Sequence, residues 1–279
     1  MKDISIGFIG LGNMAGAIFK GLRNSRQFAI TDIIGFDRNP HKQEIYFKDF
    51  EVQIAQDACA AAASSSLLVL AIKPQGMDEL LNLIKPCLKA DQLVISLAAG
   101  KTLSYYSSAL DNKMPLVRAM PNINARVGAS MTALCHNDLV SDKQLEAATA
   151  VFDAIGSVLV LPESKLSAFS AIAGAGPAFA YAFIDALATA GIRAGLPRPL
   201  AQQAACAMLF GSAKLVTESG EHPRALIDQV TSPGGTTIEG MHKLAELGFE
   251  HAVQAAVNAV IEKERKMAQA GSTPKDKQQ

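Results

Sequence analysis

The chain predicts an α/β fold in two parts, a mainly parallel sheet covered by helices followed by an all-helical domain. Three observations point there. Strand-like apolar runs alternate with helical patterns up to Pro162, strand signals stop from Glu163 onward, and a glycine-rich turn joins the first run to the first helix.

The strand-like runs are Ile4 to Ile9, Ile33 to Phe36, Leu67 to Ile72, Leu93 to Leu97, Leu116 to Ala119 and Ser157 to Leu161. Each is short and apolar, as a strand buried on both faces should be. Beyond Glu163, helical patterns cover about residues 164–195, 198–219, 223–231, 235–247 and 249–269, separated by Gly195-Leu196-Pro197, Glu221-His222-Pro223 and Gly248. Glycine and proline at these breaks stop one helix and start the next. The expected domains are therefore 1–162 and 163–270. The polar tail 271–279 is expected to be disordered.

Gly10-Leu11-Gly12-Asn13-Met14-Ala15 follows the first apolar run and opens an amphipathic segment, the setting that a dinucleotide fingerprint needs. This makes the first domain Rossmann-like. Gly10 makes the tight turn, Gly12 lets a pyrophosphate approach the backbone, and Ala15 lets helix and strand pack closely. At the end of the second run stand Asp37 and Arg38, where such folds choose between a ribose hydroxyl and a 2′-phosphate. At about 5 Å and an effective dielectric of about 20, Asp37 repels each unit of phosphate charge by roughly 3 kcal/mol, which an inward-turned Arg38 offsets. The sequence leaves NADPH and NADH both open. Ala71-Ile72-Lys73-Pro74 and Ala98-Ala99-Gly100 end two further strands on the edge where open α/β sheets hold ligands.

The 26 basic and 26 acidic residues balance, which gives no net field for nucleic acid or an anionic membrane. Cys59, Cys87, Cys135 and Cys206 are widely spaced, without CxxC or a Cys/His cluster, and read as reduced thiols of a cytoplasmic protein. The opening residues lack the long apolar run of a signal peptide. Leu166 to Ile184 carries no charge and is long enough to span a bilayer, but its alanines and its Gly174, Gly176 and Pro177 suit a helix packed closely on other helices. Dimerisation is expected from these small-residue helices. The five histidines share no metal-ligand spacing, and no metal site is expected.

Between two helical patterns lies Asp228-Gln229-Val230-Thr231-Ser232-Pro233-Gly234-Gly235-Thr236-Thr237. Pro233 fixes one dihedral, and Gly234 and Gly235 remove side chains that would block a ligand. Free N–H groups at the following helix start favour an anion, by roughly 0.3 to 1 kcal/mol for an exposed charge. The residues alone fit either a carboxylate site or a plain helix cap.

Taken in order, GFIGLGNMAGAI, LAIKP, SLAAG, Arg118-Ala119-Met120-Pro121-Asn122, AGAGPAFAY, AGLPR and HPRALIDQVTSPGGTTIEG resemble pyrroline-5-carboxylate reductase over nearly the whole chain. The resemblance implies reduction of 1-pyrroline-5-carboxylate to L-proline with NADPH or NADH, the last step of proline biosynthesis. It also implies a helical domain that exchanges helices to form a homodimer, and a ring of dimers. Carried over residue by residue, the substrate carboxylate falls to Ser232, Gly235, Thr236 and Thr237, with the Thr237 hydroxyl beside the ring nitrogen as the catalytic group. The pyrophosphate falls to Gly10, Gly12, Asn13, Met14 and Ala15. The ribose and nicotinamide fall to Ala71, Lys73, Pro74 and Ala99.

Three positions depart from the family pattern. Ala173-Gly174-Ala175-Gly176-Pro177 lacks two serines, Ile123-Asn124 replaces Thr-Pro, and Ala58 stands where an asparagine commonly contacts the adenosine ribose. These changes leave open a reductase of another cyclic imine or of a keto acid in the same fold.

Overall fold

The computed structural model describes residues 4–25, 33–50 and 52–271, with side chains through residue 267. The expected disordered tail, apart from Gly271, lies outside them. The chain forms two compact units, the described residues of Met1–Gly174 with Ile261–Gln279, and Ala175–Val260.

The first unit holds one eight-stranded sheet in the order β3-β2-β1-β4-β5-β6-β7-β8. Its strands are β1 Ile6–Ile9, β2 Ile33–Phe36, β3 Gln53–Ile54, β4 Leu67–Leu70, β5 Leu93–Ser96, β6 Leu116–Met120, β7 Ser130–His136 and β8 Gly156–Val160. β1 to β6 are parallel, and β7 runs antiparallel to β6 and parallel to β8. The helices are α1 Asn13–Ser25, α2 Pro40–Phe50, α3 Ala58–Ala63, α4 Met77–Ile84, α5 Leu103–Ala109, α6 Asp142–Asp153 and α7 Leu166–Phe169.

Period-two alternation divides each central strand between two cores. Ile6, Phe8, Leu67, Val69, Leu93 and Ile95 pack with residues of α1 and α6. Ile9, Leu68, Leu70 and Val94 pack with α3, α4 and α5. Burial on both faces explains why these strands read as unbroken apolar runs. Gly7 is required on the second face, because an added Cβ would meet the Ser65 side chain and the Ala61 carbonyl.

The strand order reverses between β1 and β4, and a crevice opens there beyond the strands' carboxyl ends. Side-chain caps fix several helix starts around the sheet. Asp57 accepts from Ala60 N, Thr102 from Tyr105 N, and Ser141 forms a reciprocal capping box with Gln144.

The first unit extends past Pro162 to Gly174. Glu163 Oε1 accepts Arg118 Nη1 at 2.5 Å and Leu103 N at 2.7 Å, and Leu166 is buried with Ala133 and Cys135. The expected single helix over 164–195 is interrupted, since α7 passes into a π-helical turn, Ser170–Gly174, before α8 begins at Gly176. The buried Ser170 hydroxyl donates to Glu264 at 2.5 Å, which ties the end of the last helix to this turn.

Cys59 and Cys87 form a disulfide, which corrects the expectation of four reduced thiols. Packing of α3 against α4 brings the two together across 28 positions, an approach that local spacing cannot reveal. Cys135 and Cys206 are free, the first buried and the second exposed.

The second unit is helical: α8 Gly176–Arg193, α9 Arg198–Ser219, α10 Pro223–Val230, α11 Thr236–Glu246 and the start of α12 Phe249–Gly271. α8 and α9 pack along each other, with Ala188, Ala201 and Ala205 buried. Large apolar side chains stay exposed on the single chain, including Tyr181, Leu200, Phe210, Leu215 and Leu247. Glu163–Arg193 has the length and mean hydropathy, 1.4, of a membrane span.

Candidate functional site

A cleft of about 970 Å³ occupies the crevice of the first unit, and ten of the predicted cofactor residues line it: Gly10, Gly12, Asn13, Met14, Asp37, Arg38, Ala71, Lys73, Pro74 and Ala99. Ala15 does not. It is fully buried in the core beneath the glycine turn, where its small side chain lets α1 sit close to the sheet. Its side chain takes the packing role expected of it.

The glycine turn is fixed from several sides. Gly10 has φ +100°, and an added Cβ would lie 2.7 Å from the Ala71 carbonyl oxygen, so both backbone and space demand glycine. Gly12 differs, because its Cβ position faces open space. The Leu11 N–H donates to Asp37 Oδ2 at 2.8 Å, and the Tyr46 hydroxyl donates to the Gly12 carbonyl at 2.5 Å. Burial pushes the Tyr46 hydroxyl up to about 12, with the nearby Asp37 charge adding to the rise. Tyr46 thus stays a neutral donor to the turn.

Asp37 is largely committed within the protein. Its Oδ1 accepts Asn39 N at 2.9 Å, and Oδ2 accepts Lys42 Nζ at 3.3 Å besides the Leu11 amide. Arg38 lies mostly in solvent and meets Glu79 at 3.3 Å across the cleft edge. The exposed termini of Arg38 and Lys42 therefore flank a carboxylate that is already hydrogen-bonded.

One cleft residue was outside the sequence expectation. Arg126 lines the cleft from the 3₁₀ turn Ile123–Val127, which packs against α1. Its guanidinium is exposed and has no ion-pair partner among the described residues. The departure from the family motif at Ile123-Asn124 marked this turn without indicating the cation two residues on. Ala58 also lines the cleft, where its methyl group offers no hydrogen bond in place of the usual asparagine.

The cleft fits a dinucleotide by the open space at Gly12, the α1 start beside it, and the cations at its rim.

Ser232, Gly235, Thr236 and Thr237 lie together in the second unit, at the turn into α11. Gly235 N donates to Ser232 O at 3.0 Å, closing the turn, and Gly234 takes φ +66°. A Cβ on Gly235 would meet the Ser232 hydroxyl oxygen. Gly235 is the N-cap residue of α11 and supplies no side-chain acceptor, so the first amides of that helix remain open to an incoming anion. Ser232, Thr236 and Thr237 are exposed. Thr231 instead turns back, its hydroxyl donating to Ile227 O at 3.0 Å.

Residues 163–267 match the family model described as pyrroline-5-carboxylate reductase dimerisation, and residues 5–100 match one described as NADP oxidoreductase, coenzyme F420-dependent. The chain is 38% identical over 265 residues to pyrroline-5-carboxylate reductase of Synechocystis sp., covering 95% of this chain and 98% of that protein. The chain belongs to the pyrroline-5-carboxylate reductase family. The Escherichia coli member is also 38% identical, over 263 residues, covering 94% of this chain and 98% of its own. Among solved members, the Coxiella burnetii reductase matches with TM-score 0.89 and 29% identity, over 95% of this chain and 98% of that one. The Plasmodium falciparum reductase, solved with NADP bound, matches with TM-score 0.87 and 28% identity, over 96% and 99%.

Proposed function

We propose that this chain reduces 1-pyrroline-5-carboxylate to L-proline with NADPH, the last step of proline biosynthesis. The observation that carries this reading is one chain holding both a dinucleotide cleft at the β1/β4 switch and a TSPGGTT turn whose helix start lacks a side-chain cap.

Bound NADPH supplies a hydride to the imine carbon. Gly10, Gly12, Asn13 and Met14 hold the pyrophosphate, and Ala71, Lys73, Pro74 and Ala99 border the ribose and nicotinamide. Arg126 adds a positive charge beside the α1 start. Arg38 and Lys42 favour the 2′-phosphate of NADPH, while the hydrogen bonds already made by Asp37 limit its use as a ribose acceptor.

In the second unit, the Ser232 hydroxyl and the amides of Gly235, Thr236 and Thr237 hold the substrate carboxylate. The ring nitrogen takes its proton from solvent, and the Thr237 hydroxyl accepts a hydrogen bond from the resulting N–H and orients the ring. Protonation makes the imine electrophilic, so the protein's main contribution is placement. Fixing both reactants is worth up to roughly 7 to 11 kcal/mol in well-oriented cases.

Steady-state kinetics with both cofactors on 1-pyrroline-5-carboxylate, 1-piperideine-6-carboxylate and 2-keto acids tests the reading. The expected result is fastest turnover of the pyrroline, with NADPH preferred over NADH. Faster turnover of a rival substrate would overturn the assignment.

The working form is a homodimer, assembled further as a ring of dimers. Support comes from the apolar residues exposed on the helical unit and from the dimerisation model matched there. The same exposed faces, the π-helical interruption and Pro177 favour a protein partner over lipid for Glu163–Arg193. By family module we divide the chain at 162/163, where the matched dimerisation model begins, although the compact first unit runs on to Gly174 and includes the end of α12. We place the protein in the cytoplasm, with no nucleic-acid or membrane partner, in keeping with its balanced charge.

A further inference from the structure

The Cys59–Cys87 bridge lies in a wall of the cofactor cleft. Ala58, the first residue of α3, and Leu83, near the end of α4, both line the cleft. Cys59 follows Ala58 directly, and its Sγ lies 3.3 Å from the Leu83 carbonyl oxygen. Cys87 closes the 3₁₀ turn Lys85–Cys87 that continues α4. The loop closed by the bridge contains β4 and the cleft residues Ala71, Lys73, Pro74, Leu80 and Leu83.

The Asp57 cap and the Gln92 amide, which donates to the Ala62 carbonyl at 2.6 Å, hold the backbone of α3, and the bridge adds a covalent tie to the end of α4. α3 has six residues, ACAAAA, too few for independent helical stability and with little side-chain area to bury. Its packing on α4 rests on alanine methyl groups, including Ala58, Ala61 and Ala62. A covalent link between α3 and the end of α4 therefore restricts this wall more than it would a pair of long helices. Both cysteines are half-buried rather than enclosed, so a small thiol can reach them.

We propose that Cys59 and Cys87 are a reversible thiol–disulfide modification site that tunes cofactor affinity, the bridged form holding the adenosine end of the cleft in its binding shape. This rests on the reading of the cleft as the cofactor site. Reduction uses an external dithiol. One of its thiolates attacks a cysteine sulfur, breaking the S–S bond and forming a mixed disulfide. The unattacked cysteine leaves in that step, and the dithiol's second sulfur then closes a cyclic disulfide and releases the cysteine held in the mixed disulfide. Two electrons pass from the dithiol to the pair, and two protons end on the Cys59 and Cys87 sulfurs. A small-molecule disulfide reverses the exchange.

The test uses the full chain with Cys206→Ser, which removes the exposed free thiol. Samples are treated with a small-molecule disulfide or a dithiol and then desalted. Thiols are titrated in denaturant, and NADPH affinity is measured by the fluorescence of the bound cofactor. One titratable thiol is expected after oxidation and three after reduction. The NADPH Kd should rise about three- to tenfold on reduction, the scale expected for losing the pre-ordering of a few groups. Adding Cys59→Ser and Cys87→Ser should hold Kd at the reduced value under both treatments. Three titratable thiols after oxidation, or equal Kd in the two forms, would overturn the proposal. Failure of NADPH to bind either form overturns it together with the cofactor reading, and the thiol count shows whether the bridge itself had formed.

Discussion

The Asp37 carboxylate accepts the Leu11 backbone amide at 2.8 Å, which fastens the end of β2 to the glycine turn after β1. A charge-assisted bond of this kind is worth about 1.5 to 3 kcal/mol. Asp37→Ala should lower unfolding stability by roughly that amount and weaken NADPH binding as the turn loosens. Denaturant titration and cofactor titration on the same variant check this. Lost NADPH affinity at unchanged stability would mean that Asp37 serves the ligand alone.

Tyr46 makes the fold sensitive to alkali. Its native hydroxyl holds its proton up to about 12 against an ordinary value of 10.0. Between those values the folded chain binds more protons than the unfolded one, so stability falls as pH rises. Its contribution is fully present below pH 10.0 and lost as pH passes about 12. Tyr106, buried and likewise raised to about 12, acts in the same direction. Tyr46→Phe should cost about 0.5 to 1.5 kcal/mol near neutrality, through the lost bond to Gly12. It should also flatten the alkaline decline. Urea midpoints from pH 8 to 12 test both effects.

Arg126→Ala should raise the KM for NADPH several-fold, by about 1 kcal/mol for a solvent-exposed charge on a phosphate, and should change kcat much less. The difference between wild type and variant should shrink as salt is added. An unchanged KM at low salt would remove Arg126 from the cofactor site.

Thr237→Ala should lower turnover more than it weakens NADPH binding. A group that meets the substrate ring nitrogen acts on the reaction and leaves the cofactor cleft alone. Equal losses in kcat and in cofactor affinity, together with a lowered thermal midpoint, would identify Thr237 as a support of the fold.

Much of the sheet was legible because β1, β4 and β5 are buried on both faces and must be apolar throughout. β7 was not legible. It reads SMTALCH, and its buried Ser130 and Thr132 look like loop residues until their neighbours are known. Ser130 accepts Asn122 N at 3.1 Å, and its hydroxyl pairs with that of Thr132. β3, only Gln53–Ile54, is too short to show a period. At the candidate site, glycine and proline positions carried their own backbone requirements, so the GLGNMA and TSPGGTT turns stood out. Arg126 and the Cys59–Cys87 pair acquire meaning only through contacts between distant segments, and no local pattern announces them. Ala15 was legible as a packing residue, since the fingerprint asks for a small side chain where helix and strand meet.

The bond between Ser170 and Glu264 gives the first unit a discontinuous recipe. The ribosome delivers the sheet early, but the partner of the Ser170 hydroxyl arrives only after the whole of Ala175–Val260 has been made. At about 5 to 20 residues per second, the π-helical turn waits several seconds for its acceptor, with a buried hydroxyl meanwhile left to water. A chain cut short before Ile261 would leave that turn unfinished however well the sheet had formed. The last helix thus sets when synthesis of the first unit is complete.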